Sequence, residues 1–218
     1  MHIADLLQKE LQKLGSTVNI TADSNDIGEQ IAELGNENRY VEIIRVNEEK
    51  EIWSWFSCQG VYVASLSFVD IDELVKVLFS FLALNIHLKD FFNNYKYITS
   101  PVDISHLMDD EEILLELDWY NFLQPSRYDH MDSEKWLIVR AFAQTMYPIA
   151  KAKKLHPYRS VDRLCFTRDT YYKTGNFPCI CVTSQKNDIP IFTISYLDGS
   201  KLQEGIAEEI KAVFEKLI

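Results

Sequence analysis

The densest gathering of groups able to recognise an anion lies at 155–178, LHPYRSVDRLCFTRDTYYKTGNFP, where Arg159, Arg163 and Arg168 stand among Tyr158, Tyr171 and Tyr172. A guanidinium fork binds a carboxylate or phosphate at two points and stacks on flat rings. Arg159, Arg168 and Tyr171 are therefore the candidate ligand-binding residues. Strand alternation sends Arg163, Cys165 and Thr167 to one side and Leu164, Phe166 and Arg168 to the other. Arg168 then ends on the apolar side, where it needs either an acidic partner within the chain or a ligand.

A second set of residues points to protein recognition. Trp53 and Trp55 share one face of EIWSWFSC (51–58), while Ile52, Phe56 and Cys58 occupy the other. A strand apolar on both faces is either sandwiched between core layers or leaves one face to a partner. Two acidic runs, Glu48-Glu49-Lys50-Glu51 and Asp109-Asp110-Glu111-Glu112, suit a basic partner or, more plainly, a solvated turn and a helix start. Neither has the alternating oxygens and glycine of a calcium loop. Trp53, Trp55, Glu48, Glu49, Glu51, Asp109 and Asp110 are the candidate partner-binding residues.

Catalytic signatures are absent. The sequence contains no GxSxG, HExxH, GxGxxG or phosphate-cradling glycine loop, and the seven glycines never cluster. The histidines are scattered, so no candidate catalytic residue is assigned. Cys179-Ile180-Cys181 places two sulfurs on one face of a strand, with Cys165 and His156 upstream, but zinc knuckles space their cysteines by two to four residues. No metal or cofactor is expected. Four cysteines embedded in apolar runs predict buried free thiols rather than a disulfide framework.

Charge narrows the partners. The chain carries 22 basic and 33 acidic side chains, a net −11, and the balance is −14 over residues 1–150 against +3 over 151–218. Such a field repels nucleic acids and anionic lipid and favours encounter with a basic protein. The same asymmetry also lets two parts of one fold attract each other. The most apolar segment, 74–86, is too short for a bilayer span, which takes ~20 residues. MHIADLLQKELQKLG carries charges where a signal peptide is apolar. These features predict a cytoplasmic protein, monomeric or homodimeric, in contact with neither nucleic acid nor membrane.

The elements that must position these residues follow from periodicity. Leu and Ile at helical spacing predict helices over 3–14 and 25–34, each ended by glycine. RYVEIIRV (39–46), EIWSWFSC (51–58) and VYVASLSF (61–68) predict three strands, and Asp70 caps a helix over 71–85. The middle predicts helices over 109–124 and 133–155, the latter kinked or split by Pro148. Strands return at 163–168, 178–184 and 189–197, followed by a helix over 201–217 with Ser200 and Gln203 as a capping box. LSFVD (66–70) and ISYLD (194–198) echo each other at an offset of 128, and VKVLFSFL (75–82) and IKAVFEKL (210–217) at 135, so the second copy carries seven more residues. The expected class is α+β, two antiparallel βββα-type units bridged by helices: an N-terminal unit over 1–100, bridging helices over 101–155 and a C-terminal unit over 156–218.

Pro157, Ser160, Leu164, Phe166-Thr167-Arg168, Thr170 and Pro178 follow P-x-x-S-x-x-x-L-x-F-[ST]-R-x-T…P, and Asp118–Leu123 forms a tryptophan-centred segment upstream. Residues 115–197 thereby resemble a family of uncharacterised bacterial proteins often labelled natural-product biosynthesis proteins, with Thr167 where that family more often has serine. The resemblance implies bacterial origin and no particular chemistry. The ααβββα order of the first part is also similar to small acidic secretion-chaperone folds. The leading expectation is a non-enzymatic module of immunity or accessory type whose acidic part meets a basic partner. The alternative is a small-molecule enzyme or ligand-binding accessory using Arg159, Arg168 and Tyr171.

Overall fold

The structure, a computed structural model, describes residues 2–24, 29–36, 38–45, 51–124, 133–168 and 177–218. The chain divides into two compact units, Met1–Leu117 and Asp118–Ile218, each combining helices with one antiparallel sheet. It is an α+β protein.

The first unit opens with α1 (Ile3–Lys13), whose Ile3, Leu7 and Leu11 recur every four residues and are buried. Its last turn closes with Gly15 N–H on Gln12 O and Ser16 N–H on Leu11 O. Gly15 has φ +80°, the left-handed geometry that only glycine adopts without strain. A five-stranded meander follows, pairing in chain order: β1 (Asn19–Ser24), β2 (Gln30–Gly35), β3 (Arg39–Arg45), β4 (Ile52–Cys58) and β5 (Val61–Phe68). The expected helix over 25–34 is corrected here, since residues 30–35 are β2; 25–28 lie outside the described residues. In so short a run, Ile31, Leu34 and Gly35 fit a helical period. Ala32 and Leu34 inward with Glu33 outward fit a strand period equally well, and pairing with β1 and β3 decides between them.

Asp70 caps α2 (Ile71–Leu78) by accepting the Asp72 N–H at 2.8 Å. The helix widens into a π-helical turn over Phe79–Ala83 and is followed by α3 (Leu88–Asn94) and α4 (Asp110–Leu123). Phe56, Phe81 and Phe91 form the centre of the core, with ring centroids 5.2 Å and 4.9 Å apart for the first and second pairs.

One cation enters this core. Arg39 is in phase with Val41 and Ile43 on β3, so it points inward and is 2% exposed. Its guanidinium donates to Phe81 O (3.0 Å) and Ile86 O (2.6 Å), meets Asp110 Oδ2 at 3.3 Å and lies over the Phe81 ring. Asp110 Oδ1 in turn accepts the Leu88 N–H at 2.7 Å. These bonds satisfy carbonyls that the π-helical turn and the segment joining it to α3 leave open.

The second unit is built on α5 (Glu134–Ala152), capped by Ser133 Oγ accepting the Trp136 N–H at 3.1 Å. Pro148 does not split this helix. Pro148 and Gln144, whose carbonyl loses its amide partner, both lie on the exposed side, where water can replace the missing donor. A second meander pairs in chain order: β6 (His156–Ser160), β7 (Arg163–Thr167), β8 (Cys179–Lys186), β9 (Ile189–Ser195) and β10 (Lys201–Gly205). Its inward face meets α5 through Phe192 and Phe142, 4.6 Å apart, and α6 (Ala207–Leu217) through Phe166 and Phe214, 4.5 Å apart. Trp119 is fully buried, its indole N–H donating to Leu155 O at 2.9 Å.

Residues 201–205 are β10, not the start of the expected helix. Ser200 bonds through its N–H and hydroxyl to Asp198 Oδ1 instead of forming a capping box with Gln203, and α6 begins six residues later with Glu209 accepting the Ile206 N–H. This five-residue strand, with Gly199 and Ser200 of the turn before it, accounts for the seven extra residues of the echo. The echo extends to the hairpin turns, where Gln59-Gly60 and Asn187-Asp188, again 128 apart, all have positive φ, as tight two-residue hairpins require.

Candidate protein-binding face

Alternation along β4 turns Ile52, Ser54, Phe56 and Cys58 into the core and leaves Trp53, Trp55 and Ser57 on the outer face. Register then fixes the neighbours. Trp53 lies between Ile44 and Ser67, Trp55 between Glu42 and Ser65, and Ser57 between Tyr40 and Tyr62. Trp53 is 40% exposed and Tyr40 and Tyr62 are each 39% exposed. Of the two arrangements open to the tryptophan strand, the structure has the one whose outer face is exposed at Trp53, Tyr40 and Tyr62, with Trp55 half-buried between its neighbours. Burial, and then a hydrogen bond with Glu33, push the Tyr40 phenol well above its ordinary pKa, so it stays a neutral donor to that carboxylate.

The electrostatics of the unit match. Residues 1–117 hold 8 basic and 21 acidic side chains, a balance of −13, whereas residues 118–218 hold 14 and 12, a balance of +2. Aromatic faces beside carboxylates receive lysine and arginine by cation–π contact and ion pairing together. Glu51 is exposed just before β4; Glu48 and Glu49 lie outside the described residues. Asp109 and Asp110 are committed locally. Asp109 Oδ1 accepts the Glu112 N–H at 2.9 Å at the start of α4, and Asp110 holds Arg39 and the Leu88 amide.

The arginine–tyrosine stretch does not converge. The Arg159 guanidinium lies 4.3 Å from the Trp136 ring centroid, donates to Val161 O at 2.6 Å and meets Asp162 at 3.5 Å. Arg168 is exposed and lies over Phe177 at 5.4 Å. Arg159 is opposite Leu164, four residues before Arg168, so the two are ~13 Å apart along one face of the hairpin. Tyr171 lies outside the described residues.

Sequence reasoning missed three features. Cys165 and Cys179 form a disulfide between β7 and β8, which corrects the expectation of four free thiols; Cys58 and Cys181 are free. Only the β7–β8 register brings those two sulfurs together. Arg39 was legible in retrospect, because it falls in phase with the apolar residues of its strand. The third feature is a buried pair, His156 Nδ1 and Asp118 Oδ2, 2.9 Å apart. Near it on β6 the Tyr158 hydroxyl is buried with no hydrogen-bond partner among the described residues, and burial raises its pKa.

A cleft of about 400 Å³ in the first unit is lined by Ser16, Thr17, Asn19, Asn36, Phe79 and Leu84, among others. These are neutral groups: Ser16 and Thr17 supply hydroxyls, but no side chain in this lining is a base that could activate them. Among the described residues no three His, Cys, Asp or Glu side chains gather as a metal site, and no helix is long and apolar enough to cross a membrane. No family model, curated protein or solved structure matches the chain.

Proposed function

We propose that this protein is a non-enzymatic binding module, of immunity or accessory type, that receives a basic protein partner on the outer face of its first sheet. The observation that carries the reading is an outer face that bears Trp53 at one end of β4 and Tyr40 and Tyr62 beside Ser57 at the other, each 39–40% exposed, on a unit with a balance of −13. Exposed aromatic rings are the side chains that most often anchor protein interfaces. A surrounding negative field speeds the approach of a basic partner and selects against acidic ones. Cytoplasmic placement belongs to the same proposal, with the Cys165–Cys179 cystine at most 1% exposed and so shielded from soluble reductants.

The test is selection of a displayed random peptide library on the intact protein. Enriched peptides should be rich in arginine and lysine. Their binding should weaken by about tenfold or more at 0.5 M salt, and by about thirtyfold on Trp53→Ala, the scale of an interface anchor. Enrichment without basic residues, or binding unchanged by Trp53→Ala and Tyr62→Ala in protein of native circular dichroism, overturns the proposal.

A further inference from the structure

The two sheets have four edges, and three carry a device that discourages pairing. β10 is five residues long, is bulged between Lys201 and Gln203 and joins Lys201 to Glu204 in an ion pair. β6 is equally short and contains Pro157, which has no N–H, and Arg159. β1 carries Asp23, whose carbonyl interacts with the His2 ring at 3.1 Å. β5 differs. It runs eight residues as VYVASLSF, with no charge and no proline. Among the described residues, Val63 to Ser67 make no main-chain hydrogen bond beyond the β4 ladder. The bulge near Val63 leaves Ala64–Phe68 in regular register with Phe56–Ile52. Natural edges of this length are blunted or covered, because alternate N–H and C=O groups along them are unpaired.

Resting on the reading of the outer face as a basic-protein site, we infer that the partner binds as an extended segment joining β5 as a sixth strand. Main-chain bonds to the edge would supply affinity and alternate side chains specificity. Inward side chains of the added strand would adjoin Ala64, Leu66 and Phe68, which selects apolar residues. Outward side chains would lie beside Ser65 and Ser67, both small and exposed. Beyond this serine floor stand Trp55 and Trp53, directly opposite Ser65 and Ser67 on β4. The added strand and β4 are two strand spacings apart, ~10 Å, a gap that arginine can cross while the serines leave room for its stem. Glu42 beside Trp55, Glu51 before β4 and Asp72 after β5 supply the matching charge. The segment recognised is one that alternates basic and apolar residues.

The experiment titrates the intact protein with a capped seven-residue peptide alternating arginine and valine, followed by tryptophan fluorescence and calorimetry. Two further peptides are N-methylated, one at every arginine amide and one at every valine amide. Only one of these two sets of amides can face β5. One methylated peptide should therefore lose about tenfold or more in affinity, the scale of several main-chain hydrogen bonds, while the other binds like the parent. Trp53→Ala should weaken the parent as well. Equal binding by all three peptides overturns strand addition and leaves the basic-protein reading standing. No binding by the parent, with library-selected basic peptides still binding, likewise removes only the sixth strand. Failure of every basic peptide removes both.

Discussion

The two units share an order of elements, a helix, a five-stranded meander and a helix, yet they treat the outer face of the sheet in opposite ways. In the first, that face exposes Trp53, Tyr40 and Tyr62. In the second, it is closed: Tyr158, Cys165, Cys179, Thr193 and Ser195 are all buried, with a cystine across β7 and β8. The charge divides likewise, −13 against +2. The order of strands therefore says little about what each unit does, and the side chains on the second face say most of it. Nor is the shared order a strand-for-strand repeat, because the echo aligns β4–β5 with β8–β9 and leaves β10 as the addition.

The largest expected effect falls on the first unit. Arg39→Leu would leave the Phe81 and Ile86 carbonyls and Asp110 without their cation. We expect a loss of about 3–5 kcal/mol, as for other broken buried ion pairs, read by urea denaturation. Hydrogen exchange should accelerate more over 39–110 than over 156–217. A uniform acceleration would mean that the two units unfold as one, which erases the distinction drawn above.

Next comes the cystine. Replacing Cys165 and Cys179 together by alanine should cost about 3 kcal/mol, the chain-entropy value for a loop of about this length. Reductant should lower the unfolding midpoint of the parent protein and leave the double variant unchanged. A parent protein indifferent to reductant would show that the closed face of the second sheet does not depend on the bond.

The smallest effects are gains. The Ser54 hydroxyl, inward on β4, and the Tyr158 hydroxyl, on β6, are both buried without partners among the described residues. Ser54→Ala and Tyr158→Phe should each raise the unfolding free energy by about 1 kcal/mol, since each removes a buried group that lost its water on folding. If only Ser54→Ala stabilises, Tyr158 has a hydrogen-bond partner in solution, and the closed face of the second sheet is held by a polar contact as well as by the cystine.

Legibility in the sequence followed the range of the information. β3, β4, β5, β7, β8 and β9 were readable because runs rich in β-branched, aromatic and other apolar residues are a local property. β1 (NITADS) and β10 (KLQEG) were not. They are edge strands whose side chains are mostly exposed, Ile20 on β1 being half-buried against the core, so little in their own composition requires a strand, and each forms because a neighbour offers a hydrogen-bonding edge. Trp53 and Trp55 were recognisable as one face of a strand, but whether that face is covered depends on segments far away in the chain. The ligand trio fared differently: its residues are close in sequence, but the hairpin register separates Arg159 from Arg168 along the strand.

By itself, then, the sequence determined the α+β class, the negative field of the first part, the alternation that puts both tryptophans on one side, and the phase that carries Arg39 inward. All of these are set by side-chain chemistry within a few residues, or by simple summation over the chain. Only the tertiary structure decided that the tryptophan face stays open, that Cys165 meets Cys179, that Asp110 belongs to Arg39 and that β5 has an unblunted edge. Those outcomes depend on register and on long-range neighbours, and a one-residue shift in strand pairing would reverse each of them without changing any local pattern.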